Sequence, residues 1–352
     1  MNTTKVDPDL TDMMAAVFAA HRTDHLVPAE PIEFDTELWK VLTELGLARL
    51  TGSESHGGSG ADWYAAAALL AAAAAAAVPV PLAEHDLLAG RLLETADLPM
   101  NPGLHSPVLL SRGRTAVAPW ARSAAYLVAL RDTGGGWAVA EVPADTATIT
   151  PAVNIAGEPR DRVSIEVTEH RWTPVPDHTV TLYVLRGALA RALQTCGALE
   201  RITELSIEHA CSREQFGRPL AKFQAVQQLV SRMAAETALA RAATEAAVAR
   251  AEQAGWRPDD ISFPIAVAKS CTGHAVSTVV RNAHQVHGAI GTTYEHTLHR
   301  YAKPALAWRS EFGSVTRWDE LLARTAAEAG RAGTWPLITD SRPVSDVLEV
   351  LR

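Results

Sequence analysis

The sequence predicts a mainly α-helical protein with a small β domain in its middle. Three long stretches with helical spacing of apolar residues, Leu185–Ser212, Phe223–Gln253 and Asp260–His287, occupy the C-terminal half. Between about Leu109 and Val180 the pattern changes to short apolar runs cut by Gly, Pro and Asp. Before that, from about Pro8 to Leu98, the spacing is helical again. The division read from this order is 1–105 helical, 106–181 β and 182–352 helical.

Leu38, Val41, Leu42, Leu45 and Leu47 form an apolar stripe that stops around Gly46. His56–Gly60 is a glycine-rich loop before a helix that starts at Ala61. That helix continues through the alanine run Ala65–Val78 and ends before Pro79 and Pro81. The run falls short of the about 20 strongly apolar residues of a membrane span, so it is read as an alanine helix packed closely in a bundle. Pro81–Leu93 is a third apolar segment. In the β region, Ala125–Leu130 and Trp137–Val142 flank the turn Asp132–Gly136, Val163–Val167 alternates, and Pro174, Pro176 and Asp177 interrupt.

A chain of 352 residues with 47% hydrophobic residues buries a large core. A net charge of −8 argues against a nucleic-acid partner, which needs a basic surface. Cys196, Cys211 and Cys271 lie inside helical patterns without CxxC spacing, which predicts small buried side chains in a reduced compartment. The polar, acidic start carries no basic and apolar leader pattern, so the reading is cytoplasmic.

The most informative stretch is Arg213–Gln227. Gly217 and Pro219 mark a tight turn. Phe223, Val226, Leu229, Val230 and Met233 then recur at helical spacing, a predicted buried stripe. Arg213, Gln215 and Gln224 cluster near the break and suit a pyrophosphate and a sugar. By spacing alone, a helix kink with ordinary surface polar groups is the favoured account of them. A second stretch, Gln285–Gly291, closes a helix with Gly288 and Gly291, where backbone N–H groups approach a ligand closely. His287, His296 and His299 are spaced as a loop-and-helix set, and no metal site is expected from them.

These two stretches, in this order, resemble the acyl-CoA dehydrogenase family of flavoproteins. Glu44–Leu47 with Gly57–Ala61, and Ala198–Arg201, match two more of its signatures. The resemblance covers most of the chain and is densest from Gly187 to Ser314. It implies a helical first domain, a middle β-barrel and a C-terminal four-helix bundle. It implies FAD, with contacts from Arg213, Gln215, Phe216 and Gln224. Further contacts are implied for Gln285, Gly288, Gly291 and Ser314. In this family those groups hold the ADP portion of a flavin bound mainly by a neighbouring subunit. The implied reaction is α,β-dehydrogenation of an acyl-CoA thioester, with electrons passing on to an electron-transfer flavoprotein.

Other parts of the family pattern are missing. The strip that holds the flavin ring and thioester has no counterpart, and the strand aromatic and threonine that face the flavin align with Val117–Pro119. An ungapped count puts Phe312 where the family has its catalytic glutamate, and Glu311 one residue away. The base position on an earlier helix, found in other members, falls on Gly187. The reading is therefore a base-lacking, FAD-sharing subunit that works with a longer homologue, as in actinobacterial α2β2 enzymes acting on steroid side-chain thioesters. Two alternatives stay open: a self-sufficient dehydrogenase with Glu311 as base, and a non-catalytic scaffold. Glu311 paired with Arg309 or Arg317 at the surface is the plainest reading of that carboxylate.

Overall fold

A computed structural model describes residues 6–21, 31–110, 115–340 and 343–351. The chain divides into two compact units. One joins the N-terminal segment to Val27, Ala67–Val78 and everything from Ala188; the other joins Pro28–Ala66 and Pro79–Gly187.

In the second unit, α2 (Thr36–Glu44) starts at the N-cap Asp35, whose carboxylate accepts from the Leu38 amide at 2.9 Å. It ends in a Schellman motif. Gly46 takes φ 72°, Leu47 N–H donates to Leu42 O and Gly46 N–H to Thr43 O. The helix therefore stops at Glu44. Leu38, Leu42 and Leu47 are buried, but Leu45 turns outward, so the predicted stripe is corrected at that residue. The glycine loop folds back on this end. A Cβ on Gly58 would lie 2.1 Å from the Gly52 carbonyl oxygen, which only glycine tolerates.

The segment Pro81–Leu93, expected to be apolar, is buried except at the half-buried Arg91, but it is not simply apolar. Ala83–Gly90 is a π-helix that runs into α4 (Arg91–Thr95), and every one of its residues is buried, Glu84, His85 and Asp86 included. Leu82, Leu87, Leu88, Leu92 and Leu93 drive that burial. The polar residues it carries inward find partners. Asp86 accepts from the Thr51 amide at 2.8 Å, and Glu94 accepts from Arg49 and Arg91, each at 2.8 Å.

Two sheets follow. One has strand order β1-β3-β4-β7 and the other β2-β6-β5. The strands are β1 (His105–Leu110), β2 (Thr115–Pro119), β3 (Tyr126–Asp132), β4 (Trp137–Pro143), β5 (Thr148–Thr150), β6 (Arg160–Ser164) and β7 (Thr173–Val175). β3 and β4 pair antiparallel through the predicted Gly turn, with Asp132 accepting from the Gly134 amide at 2.8 Å. Both faces of these strands are covered, which is why they read as continuous apolar runs. Val108, Leu127, Ala129, Ala140, Val142, Val163 and Ile165 form the core. Arg122 and the fully buried Asp161 tie the turn after β2 to β6: Asp161 accepts from the Arg122 amide and its Nε, both at 2.9 Å.

In the first unit, α3 (Trp63–Ala75), α5 (His178–Ser212), α6 (Gln224–Ala254), α7 (Pro258–His287), α8 (His299–Trp308) and α9 (Val315–Thr339) carry the packing, preceded by α1 (Pro8–Ala20). α3 and α5 each continue into both units. The alanine helix packs closely, as expected. A Cβ on Gly197 of α5 would stand 2.4 Å from the Ala71 carbonyl of α3. α6 buries a narrow stripe, Met233, Thr237, Ala240, Thr244, Ala247 and Ala251, at alternating three- and four-residue steps. Of its predicted stripe only Met233 is buried. Val226, Leu229 and Val230 are half-exposed, because the described residues cover the first turns of α6 only in part. Gly255, at φ 57°, caps α6, and Pro258 with Asp259 and Asp260 begins α7. Trp308 and Trp318 are buried, and so is Cys196 as expected, whereas Cys271 is only half-buried and Cys211 is exposed, against the expectation for those two thiols. Among the described residues no helix is long and apolar enough to cross a membrane.

Candidate functional site

The stretch after α5 is a hairpin rather than a kinked helix. β8 (Glu214–Gln215) pairs with β9 (Arg218–Pro219) around a two-residue turn. Phe216 and Gly217 at the tip take φ 53° and 76°, a type I′ turn. Glycine suits that conformation and phenylalanine does not. The left-handed region costs a residue with a Cβ about 1–2 kcal/mol. Yet Phe216 is 91% exposed, so its ring recovers little by burial. It rests edge-on against Phe223 at 6.2 Å, and the Arg218 guanidinium lies 4.2 Å over the Phe223 ring. Pro219 leads into a 3-10 turn, Leu220–Lys222, and α6 begins only at Gln224. Arg213, Gln215 and Gln224 are all exposed around this hairpin.

The second stretch behaves as predicted at the level of local structure. α7 ends at His287, and Gly288 leaves it with φ 62° and ψ −141°. Gln285 and Gly288 are exposed. Gly291 is buried; a Cβ there would lie 2.7 Å from His287 Cβ, so the close approach it permits is internal. Ser314 is half-buried and caps α9, accepting from the Arg317 amide at 3.4 Å.

Glu311 has a partner the sequence did not reveal. Arg191 of α5 donates from Nε to Glu311 Oε2 at 2.7 Å and from Nη1 to Gln194 at 2.6 Å. The pairing expected with Arg309 or Arg317 is corrected: Arg309 donates to Ser277 Oγ and Arg317 pairs with Glu320. Lys269 lies beside them, buried, and donates to the carbonyls of Trp308 at 2.9 Å and Arg309 at 3.2 Å. Burial pulls its pKa down to about 7, against the pull of Glu311. Phe312 sits at φ 54° and its carbonyl accepts from Trp318 Nε1 at 3.1 Å. Lys269 was legible in principle: it continues the Ile261, Ile265 step of the α7 core face. Arg191 was not, since its partner is far away in sequence.

The histidines also regroup. His299 turns to Tyr294, while His209 from α5 joins His287 and His296. Burial lowers the pKa of all three, and neighbouring histidines lower it further, for His296 to about 4. Such rings stay neutral in the folded chain while the unfolded chain protonates near 6.5. Stability is therefore complete above pH 6.5 and falls as pH drops from 6.5 toward 4. Urea midpoints measured at pH 7 and pH 5 are expected to show this loss, and a His296→Gln chain is expected to show less of it.

The strand expected to face a flavin ring is plain. From Ala116 to Pro119, β2 presents no hydrogen-bonding side chain, Val117 is 58% exposed, and Pro119 has no amide hydrogen. The groups present thus fit a dinucleotide tail at the hairpin, where a cation, amides and an open aromatic face meet, better than they fit the ring at β2.

Family models decide the wider kinship. The acyl-CoA dehydrogenase N-terminal domain matches residues 9–96, and the acyl-CoA dehydrogenase C-terminal domain matches residues 180–327. This chain belongs to the acyl-CoA dehydrogenase family. It is an FAD-dependent acyl-CoA oxidoreductase with the fold of that family, as the resemblance implied. Among curated acyl-CoA dehydrogenases, IpdE2 of Mycolicibacterium smegmatis is 28% identical over 314 residues, covering 84% of this chain and 91% of that protein. Among solved acyl-CoA dehydrogenase folds, the ChsE4-ChsE5 complex from Mycobacterium tuberculosis superposes with a TM-score of 0.82 at 23% identity, covering 93% of this chain and 99% of that one. The Tcur3481-Tcur3483 steroid ACAD gives 0.78 at 20% identity, over 91% and 97%.

Proposed function

We propose that this chain is the FAD-sharing, base-lacking subunit of a heteromeric acyl-CoA dehydrogenase. The observation that carries this is Phe216, held in a strained turn with its ring 91% exposed among exposed Arg213, Gln215 and Gln224. An aromatic kept in solvent at a conformational cost serves something outside the chain. That something is the adenosine and pyrophosphate end of an FAD whose ring lies on a longer homologous subunit. Gln285 and Gly288 belong to the same grip. The half-exposed Val226, Leu229 and Val230 mark a strip for the partner to cover.

The catalytic half supports the same division. Glu311 is spoken for by Arg191, and β2 lacks ring-binding groups, so the base that takes the α-proton comes from the partner. Bound FAD supplies the hydride acceptor; this chain clamps its tail. The division into 1–105, 106–181 and 182–352 belongs to this reading. So do steroid side-chain CoA thioesters as substrates, supported by the steroid ACAD among its structural neighbours, and an electron-transfer flavoprotein as acceptor.

Co-expression tests it. The chain alone is expected to purify nearly colourless. With its longer homologue it is expected to hold about one flavin per two chains and to oxidise acyl-CoA. A fully flavinated, active assembly of this chain alone overturns the proposal.

A further inference from the structure

The dinucleotide grip makes no use of the histidine cluster behind it. His209 stands in the last turn of α5, His287 ends α7, and His296 lies on the segment that leads into α8. One ring nitrogen from each lies within 4.8 Å of the others. The His209 and His287 rings stack at 4.6 Å, and His296 stands edge-on to both.

His287 sets the chemistry. Its Nδ1 donates to the Ala283 carbonyl at 2.8 Å, which leaves the lone pair on Nε2. That Nε2 is buried and makes no hydrogen bond of normal geometry, although the Leu205 backbone carbonyl also acts on the ring. A buried acceptor without a donor is unfavourable, whereas a backbone-anchored Nδ1–H with a free Nε2 is the arrangement of a metal-ligating histidine. Glu208, the acid that acts on His296, is held by Arg201 at 3.0 Å, so the cluster itself offers only imidazoles.

We propose that His209, His287 and His296 form a transition-metal site of the zinc class, with water in the fourth position. Three imidazoles without a carboxylate suit Zn2+, Co2+ or Ni2+ rather than Mg2+ or Ca2+. A metal–nitrogen distance of about 2.1 Å requires the three nitrogens to sit roughly 3.4 Å apart, so the rings draw inward on binding. His296 also turns off the Leu298 amide, from which its Nδ1 now accepts at 3.1 Å. It has room to do so, because Thr293–Glu295, just after the 3-10 turn Gly288–Thr292, is exposed and outside any helix or strand. The bound ion would join the end of α5, four residues before Arg213, to the residue preceding Gly288. It would thus clasp the two segments that carry the proposed grip, and it is a structural site that holds whether or not the heteromeric reading does.

The test uses the full chain, untagged, stripped with EDTA and titrated with Co2+ while its visible absorption is followed. Saturable binding of one ion per chain is expected, with the intense bands of four-coordinate cobalt and displacement by Zn2+. His209→Gln and His296→Gln, checked for folding by circular dichroism, are each expected to weaken binding at least about tenfold. His299→Gln, whose Nδ1 faces the His296 carbonyl outside the cluster, is expected to bind as the parent does. Absence of saturable Co2+ binding by the parent chain overturns the proposal regardless of how the variants fold. So does binding unchanged in both His209→Gln and His296→Gln.

Discussion

Glu311→Ala is expected to lower the stability of this chain by about 3 kcal/mol or more, read from urea unfolding at pH 7. The carboxylate is 21% exposed, but its partner Arg191 is only 4% exposed. Truncating Glu311 leaves the Arg191 charge buried without its carboxylate, with Gln194 still accepting from it and Lys269 nearby. Removing one member of a buried pair costs more than removing both. The double change Arg191→Met with Glu311→Met is therefore expected to recover most of the loss. The same carboxylate separates the two catalytic readings. In the assembled enzyme Glu311→Gln is expected to keep turnover within a few-fold, since it preserves shape and acts as a strut. Loss of turnover with flavin fully retained would make Glu311 the base after all.

Arg213→Ala, co-expressed with the longer subunit, is expected to weaken FAD retention by roughly ten- to a hundredfold. A charge-assisted hydrogen bond to phosphate contributes about 1.5–3 kcal/mol. Stability should barely move, because Arg213 is exposed. Phe216→Gly gives a sharper contrast. It relieves left-handed strain of about 1–2 kcal/mol, so the thermal midpoint should hold or rise while flavin is lost. If both variants keep their flavin through gel filtration, the hairpin is not the grip.

Much of the helical framework was legible because it depends on local rules. Helical spacing marked α5, α6 and α7; glycine after the last apolar residues marked the ends of α2 and α7; and the Asp-Thr-Gly-Gly-Gly turn marked the β3–β4 hairpin. The stripe at the start of α6 misled for a related reason. Periodicity says which residues share a face, not whether this chain or another one covers it. The π-helix Ala83–Gly90 escaped because leucines dictate burial there, and the charged residues between them are carried inward.

The candidate site divides along the same line. Arg213, Phe216, Gln285 and Gly288 stand close in sequence to the breaks that expose them, so the sequence alone determined the family and the cofactor and pointed to the two segments proposed to meet it. Only tertiary structure decided that Glu311 is clamped by Arg191, that Lys269 is buried against the end of α8, and that His209 completes a group with His287 and His296. Each of those pairings joins helices that are distant along the chain. No spacing rule reaches across such a gap, because the partners are brought together by helix packing and not by the backbone between them.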